Sequence, residues 1–150
     1  MIYSIVPMTK KHIPEVAQIE QDTFPIPWSA EMFDNELRHD YTVYFVAENI
    51  TDKSVLGYAG MWHIVNEGQI ANIAVRDDAR GQGIGTSLIN RLIRTARQRE
   101  MMGLTLEVSI NNRNAQRLYT KLGFKPEGIR KGYYETGEDA IIMWVYLRCV

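Results

Sequence analysis

One stretch restricts the possible folds of this chain more than any other. From Ile70 to Val75 the sequence is apolar and β-rich, and the charged run Arg76-Asp77-Asp78 follows at once. Next comes a glycine-rich turn, Arg80-Gly81-Gln82-Gly83-Ile84-Gly85-Thr86, after which Ile84, Leu88, Ile89, Leu92, Ile93 and Ala96 recur at helical spacing. A strand, a glycine loop and a helix N-terminus in this order build an anion site. Successive backbone N–H groups converge there, and the helix dipole adds partial positive charge. Gly83 and Gly85 carry no Cβ to hold a phosphate away from the main chain.

Two familiar phosphate loops do not fit. A dinucleotide fingerprint needs a third glycine, and counting from Gly81 its place is taken by Thr86. A P-loop needs Gly-Lys-Ser/Thr, a triplet found nowhere in the chain. The spacing that does occur is Arg80-x-x-Gly83-x-Gly85. For a glycine pair alone, an ordinary strand-to-helix turn is the competing reading, and the downstream residues decide between them.

Around this stretch the chain reads as follows. Ile2 to Val6 alternates as a strand stopped by Pro7. Thr9 caps a helix carrying Ile13, Val16, Ala17 and Ile19-Glu20, with Pro14 early, where a missing N–H costs least. His12 is expected as a solvated first-turn residue, since no second histidine or cysteine stands at metal spacing. Phe24-Pro25-Ile26-Pro27-Trp28-Ser29 is a stiff loop presenting two large apolar side chains, either to plug the core or to wall an acceptor pocket. Ser29 caps a second helix with Glu31 in its first turn and Met32, Phe33, Glu36 and Leu37 on successive turns, and His39 lies just past its end. Thr42 to Glu48 and Val55 to Val65 read as a hairpin, with Gly57 and Gly60 marking a bulge or a close backbone approach and His63 a pleat residue. Asn66-Glu67-Gly68 turns the chain into Gln69 to Val75, completing an antiparallel meander.

Beyond the helix from Ile84 to about Arg99, which Gly103 is expected to stop, Leu104 to Ser109 forms a strand. Leu104, Leu106 and Val108 share one face, and Thr105, Glu107 and Ser109 share the other. Asn111-Asn112 opens a helix with Ala115, Leu118, Tyr119 and Leu122 inward, ended by Gly123 in a left-handed cap. Strands at about Lys125–Tyr133 and Ala140–Leu147 flank a polar turn from Glu135 to Asp139. A right-handed crossover pairs the strand at Val75 in parallel with the strand at Glu107. The fold class is α+β, a three-layer sandwich around a mixed, mostly antiparallel sheet of about seven strands with about four helices.

With 150 residues the chain is read as one domain, 1–150, able to bury roughly two thirds of its unfolded surface without staples. A net charge of -1 gives no global attraction to nucleic acid or anionic membrane. The lone Cys149 excludes an intramolecular disulfide and suits a reducing compartment. No apolar run reaches the roughly 20 residues of a membrane span, and no signal peptide is visible, so a cytoplasmic location is expected.

The second motif makes a family resemblance visible. Arg80-x-x-Gly83-x-Gly85 resembles the pyrophosphate loop of the GNAT N-acetyltransferase superfamily. Asn111-x-x-Asn114-Ala115-x-x-Leu118-Tyr119-x-x-Leu122-Gly123-Phe124 resembles its helix-and-turn after the second cofactor strand. Leu106-Glu107-Val108, Pro27-Trp28-Ser29, Lys131-x-Tyr133-Tyr134 and Glu138 to Met143 together resemble the RimI-type ribosomal-protein-alanine N-acetyltransferases, from Ile13 to Met143.

The resemblance implies acetyl-CoA as donor, with no metal. Backbone groups of Ile73, Ala74 and Val75 would bind the pantetheine arm. Arg80 would open the cofactor loop, the amides of Gly81, Gln82, Gly83, Ile84, Gly85 and Thr86 would hold the pyrophosphate, and Asn112 would touch the pantetheine side. The acetyl group would pass directly to an amine, in keeping with the lack of a suitable Ser or Cys nucleophile. The implied acceptor is the free N-terminal alanine of a small-subunit ribosomal protein, with no direct nucleic-acid or membrane partner. The residue chemistry agrees. Glu107, the only carboxylate in its strand, can take the amine's proton directly or through a water. Tyr119 can protonate the leaving thiolate, a phenol having a pKa of about 10. An α-amine, at about 7.7–8.0 against about 10.4 for lysine, is the easier acceptor near neutrality. Trp28, Tyr133 and Tyr134 would flank the acceptor peptide, with Arg130 and Lys131 nearby.

Two departures from the family pattern bear on the acceptor. Ser109 stands where an arginine is frequent, and the Pro25-Ile26-Pro27 step precedes Trp28. The rival readings are an enzyme of the same fold acting on other N-termini, lysines or a small amine, and a non-catalytic acyl-CoA-binding module. A pure binder needs neither Glu107 nor Tyr119.

Overall fold

The structure, a computed structural model, describes residues 2–148, so Cys149 lies outside the described residues. The strands are β1 (Tyr3–Pro7), β2 (Thr42–Asn49), β3 (Val55–Ile64), β4 (Glu67–Val75), β5 (Gly103–Ser109), β6 (Lys125–Arg130) and β7 (Ala140–Tyr146). The helices are α1 (Ile13–Thr23), α2 (Ala30–Glu36), α3 (Ile84–Gln98) and α4 (Arg113–Lys121). The strands form one sheet in the order β1-β2-β3-β4-β5-β7-β6, antiparallel throughout except for the β4–β5 pair. Alternation along each strand sends two sets of side chains to opposite faces. One face, with Phe45, Leu56, Met61, Leu104 and Leu106, is buried under α3 and α4. On the other, Val46, Tyr58 and Ala74 pack under α1 and α2 with Val16 and Phe33. This is the α+β three-layer arrangement expected, with β7 inserted between β5 and β6, an order the sequence did not reveal.

The parallel pairing of β4 with β5 forms as expected, but it is short. β4 and β5 pair only from Glu67↔Gly103 to Gln69↔Thr105, so Val75 and Glu107 are not partners. The cause lies on the far side of β4. Opposite β3 the register jumps from Gly60↔Asn72 to Met61↔Ile70, leaving Ala71 as an extra residue. Such a bulge bends its strand and increases the local twist. Beyond it β4 leaves β5, and a cleft opens between their C-terminal halves.

Gly60 shows how tightly this region is built. A Cβ there would overlap the ring of Tyr44, which is buried with its hydroxyl bonded to Glu36 at 2.8 Å. Gly60→Ala is therefore expected to cost about 3 kcal/mol by overpacking. In a thermal melt this should appear as a fall of roughly 6–12 °C.

β1 does end at Pro7, which is itself the last paired residue, opposite Phe45. Several other local expectations are corrected. The tight turn after β3 is Val65-Asn66 rather than Asn66 to Gly68, and Val65 takes a positive φ of 56°. Gly103 does not stop α3, which ends at Gln98 with Glu100 left-handed at φ 57°. Instead Gly103 begins β5, where a Cβ would sit 2.5 Å from the Val145 carbonyl oxygen. β6 ends at Arg130 because Gly132, at φ 59°, turns the chain.

His12 is not solvated. The chain from Thr9 first makes a 3-10 turn, Lys10–His12, which buries the imidazole. The Thr9 amide donates to Nδ1 at 2.9 Å, so the ring proton sits on Nε2 and is donated to Glu48 Oε2 at 2.6 Å. The bond from His12 holds the Glu48 carboxyl below its ordinary value of 4.5. A depressed carboxylate contributes stability that is complete above the unfolded value and lost as pH falls through the folded one. The melting temperature should therefore decline on acidification below about pH 4.5, and Glu48→Gln should flatten that part of the profile.

Candidate active site

The glycine loop forms as the sequence predicts, with φ values of 79° at Gly81 and 80° at Gly83. Both would strain an L-residue, and neither has a neighbour within 4 Å of a Cβ position, so the main chain is open to an approaching group. α3 begins at Ile84, its first intrahelical bond running from Ser87 N–H to the Gly83 carbonyl at 3.0 Å. Among the described residues the N–H groups from Gly81 to Thr86 find no acceptor. The six unpartnered donors and the dipole of a 15-residue helix fit a pyrophosphate. Tyr3 braces the loop, its hydroxyl lying 2.7 Å from Ser87 Oγ.

Two further loop residues have neighbours of their own. A Cβ on Gly85 would stand 3.4 Å from Leu118 of α4, an ordinary contact, so the start of α3 lies directly against α4. Arg80 folds back, with Nε donating to the Val75 carbonyl at 3.3 Å and its guanidinium 2.9 Å from Asp77. Gln82 is exposed.

The cleft edge is set by strand alternation. The Arg76 amide donates to the Leu56 carbonyl at 2.8 Å, so Arg76 and Ala74 direct their main chain at β3. Ile73 and Val75, between them, turn theirs toward the edge vacated by β5. A pantetheine arm with its own amides can lie there as a substitute strand. Ala74 serves from the other side, holding β4 to β3. Across the cleft Asn112 caps α4 by accepting the Ala115 amide at 3.2 Å, and its side-chain NH2 finds no acceptor among the described residues.

Glu107 lies on β5 on the face of α1 and α2, as the alternation requires, and is about a quarter exposed, with Arg130 Nε 3.6 Å from Oε1. Arg130 also lies over the Tyr133 ring at 5.9 Å, so it belongs to this cluster rather than to a free acceptor-binding surface. Tyr133 and Tyr134 meet edge to face at 5.0 Å. Burial and the neighbouring Tyr133 and Glu107 push the Tyr134 phenol up to about 12. Tyr119 approaches from α4, buried against Phe124 at 5.8 Å. Burial raises its phenol well above the ordinary range, and Tyr134 adds to the shift. Glu107, Tyr133, Tyr134 and Tyr119 thus form one electrostatic cluster at the cleft. Trp28 shares the face of Glu107 but makes its contacts with Phe33, at 5.5 Å, and with Glu20.

Three features escaped the sequence reading. Ser109 donates to Glu138 Oε2 at 2.7 Å, as does Asn111, and these bonds hold the Glu138 carboxyl below its usual range. Together with the Gly132 amide bonded to Asp139 at 2.8 Å, they clamp the loop that carries Tyr133 and Tyr134. Glu20 and Glu36 are buried carboxylates with phenol and indole donors. No short-range signal marks them, because their partners lie 8 to 52 residues away.

This architecture has known counterparts. Residues 13–124 match the model of the acetyltransferase (GNAT) family. A relative from Bacillus subtilis (strain 168) is 40% identical over 140 residues, covering 92% of this chain and 91% of its own. The [ribosomal protein bS18]-alanine N-acetyltransferase of Escherichia coli (strain K12) is 34% identical over 134 residues, 87% of this chain and 88% of its own, and the Bacillus relative is named a "putative [ribosomal protein bS18]-alanine N-acetyltransferase". The crystal structure of the ribosomal-protein-S18-alanine N-acetyltransferase from Escherichia coli superposes with a TM-score of 0.89 at 31% identity, over 99% of this chain and 96% of that one. Arabidopsis thaliana NAA60, solved with acetyl-CoA, shares the fold with a TM-score of 0.88 at 19% identity, over 97% and 99% of the two chains. With its splayed β4–β5 pair, its open amide loop and these likenesses spanning most of its length, the chain belongs to the GNAT family of acetyltransferases.

Proposed function

We propose that the protein transfers the acetyl group of acetyl-CoA directly to the N-terminal α-amine of alanine on ribosomal protein bS18. The observation that carries this reading is the cleft itself, where β4 parts from β5 before Glu107 and the outer main-chain edge of Ile73 and Val75 has no strand partner among the described residues. The names of relatives 40% and 34% identical support the acceptor. Acetyl-CoA supplies an acyl carbon activated as a thioester. The amides of Gly81 to Thr86 would hold its pyrophosphate, and Ile73 and Val75 its pantetheine arm. The nitrogen lone pair attacks the carbonyl carbon, forming the C–N bond as the C–S bond breaks. Glu107 takes the proton lost by the amine, directly or through a water, and Tyr119 offers its phenolic proton to the departing sulfur. Trp28, Tyr133 and Tyr134 line the approach of the acceptor peptide. No acyl-enzyme is needed.

The test is thiol release from acetyl-CoA with an alanine-started peptide carrying the acceptor's N-terminal sequence, against the same peptide with a blocked terminus and its lysines intact. Release only with the free terminus supports the proposal. Release with both redirects it to lysines. Silence with both, alongside measurable CoA binding, favours a small-molecule amine or a binding module.

A further inference from the structure

Glu20 lies near the end of α1 and is 3% exposed, yet it forms no ion pair among the described residues. Its two oxygens are instead shared among donors from three separate segments. Oε2 accepts the main-chain amide of Trp28 at 3.1 Å. Oε1 accepts the Tyr58 hydroxyl from β3 and the Asn72 side-chain amide from β4, the latter at 3.3 Å.

Two of these partners, Trp28 and Asn72, have a place in the proposed acceptor site, while Tyr58 belongs to the core beneath it. Trp28 follows the stiff Pro25-Ile26-Pro27 step, and prolines offer no amides, so the Glu20 bond is a main anchor for that loop. Asn72 stands next to the Ala71 bulge, where β4 departs from β5, on the face of Glu107. Tyr44, bonded to Glu36, lies 3.4 Å from Asn72 Oδ1 and fixes the far side of that amide. A carboxylate that only stabilised the core would not need to join the acceptor loop to the cleft edge.

We infer that Glu20 is a positioning residue for the acceptor. Its carboxylate sets the distance between the Trp28 wall and the bulged edge of β4, and so the width of the channel through which the amine reaches Glu107. This rests on the acetyltransferase reading for its kinetic consequence, but not for the loop geometry.

Glu20→Gln keeps the shape and turns one of the two acceptors into a donor, placed against either the Trp28 amide or the Tyr58 and Asn72 donors. The KM for the acceptor peptide should rise about tenfold, with kcat within about threefold and the dissociation constant of CoA within about twofold. Hydrogen exchange of residues 24–29, measured without acceptor, should accelerate. Tyr58→Phe is the control: it removes a bond to the same carboxylate but leaves the loop anchored, so it should lower stability without raising KM. Asn72→Ala, which perturbs the hub from the cleft side, should raise KM several-fold and decides the matter if the Glu20 variant fails to fold. Equal effects of Tyr58→Phe and Glu20→Gln on loop exchange and KM, or an unchanged KM in Asn72→Ala, would overturn the inference. The exchange measurement judges the loop even if the true acceptor is a different amine.

Discussion

Glu107→Gln is expected to lower kcat by roughly 10²–10⁴-fold, the usual worth of a general base, while CoA binding changes little. The substitution is nearly isosteric, and the Arg130 contact at 3.6 Å is long enough to leave no strong bond broken. The amide cannot accept a proton at working pH, so the attacking nitrogen must lose its own to water. The defect should therefore shrink at high pH, where more of the acceptor already arrives neutral. For an α-amine of pKa about 7.7–8.0 the recovery should set in near pH 8, and for a lysine of about 10.4 it should be delayed by more than two units. The pH profile of the variant thus reports both the base and the kind of amine. Turnover equal to wild type would remove Glu107 from the mechanism, whatever the acceptor.

What the sequence made legible was what short-range rules govern. The glycine loop, the α3 stripe, the Ser29 and Asn112 caps and the alternation placing Glu107 opposite Leu106 and Val108 all depend on residues within one or two turns of each other. The crossover was legible in direction but not in extent. Its early end depends on Ala71, an ordinary residue that is extra only because β3 pairs around it. The order β5-β7-β6 is likewise a long-range choice, since a hairpin-like pattern does not say which strand takes the inner place.

The missed residues share one physical reason. His12, Glu20 and Glu36 are polar groups that hydropathy assigns to the surface, and each is buried because a partner distant in sequence satisfies it. His12 finds Glu48 at a separation of 36 residues, and Glu20 finds Tyr58 at 38. Ser109 is the instructive opposite. Its substitution for a frequent arginine was visible, but its consequence, a clamp on Glu138 beneath the Tyr133-Tyr134 loop, required the fold.

Tyr119→Phe provides the second large effect, and the structure separates its chemical from its structural meaning. The ring is buried against Phe124, but the hydroxyl has no hydrogen-bond partner among the described residues, so the variant keeps the packing and leaves no orphaned group behind. The melting temperature should barely move. Turnover, by contrast, should fall roughly 10²-fold or more, because in the proposed mechanism Tyr119 is the proton donor to the departing sulfur. Burial keeps the phenol protonated beyond the ordinary value of 10, so wild-type activity should show no alkaline decline from this group below about that pH. The raised value also makes Tyr119 a weaker acid than a free phenol. It acts best by donating a hydrogen bond as the C–S bond stretches, with full transfer only as sulfur charge develops. An acetyl donor with a more acidic leaving thiol needs less of that help, so the ratio of wild-type to variant rates should shrink with such a donor. A constant ratio across thiols would mean that Tyr119 acts before the bond breaks, and an unchanged kcat in the variant would assign it to packing alone.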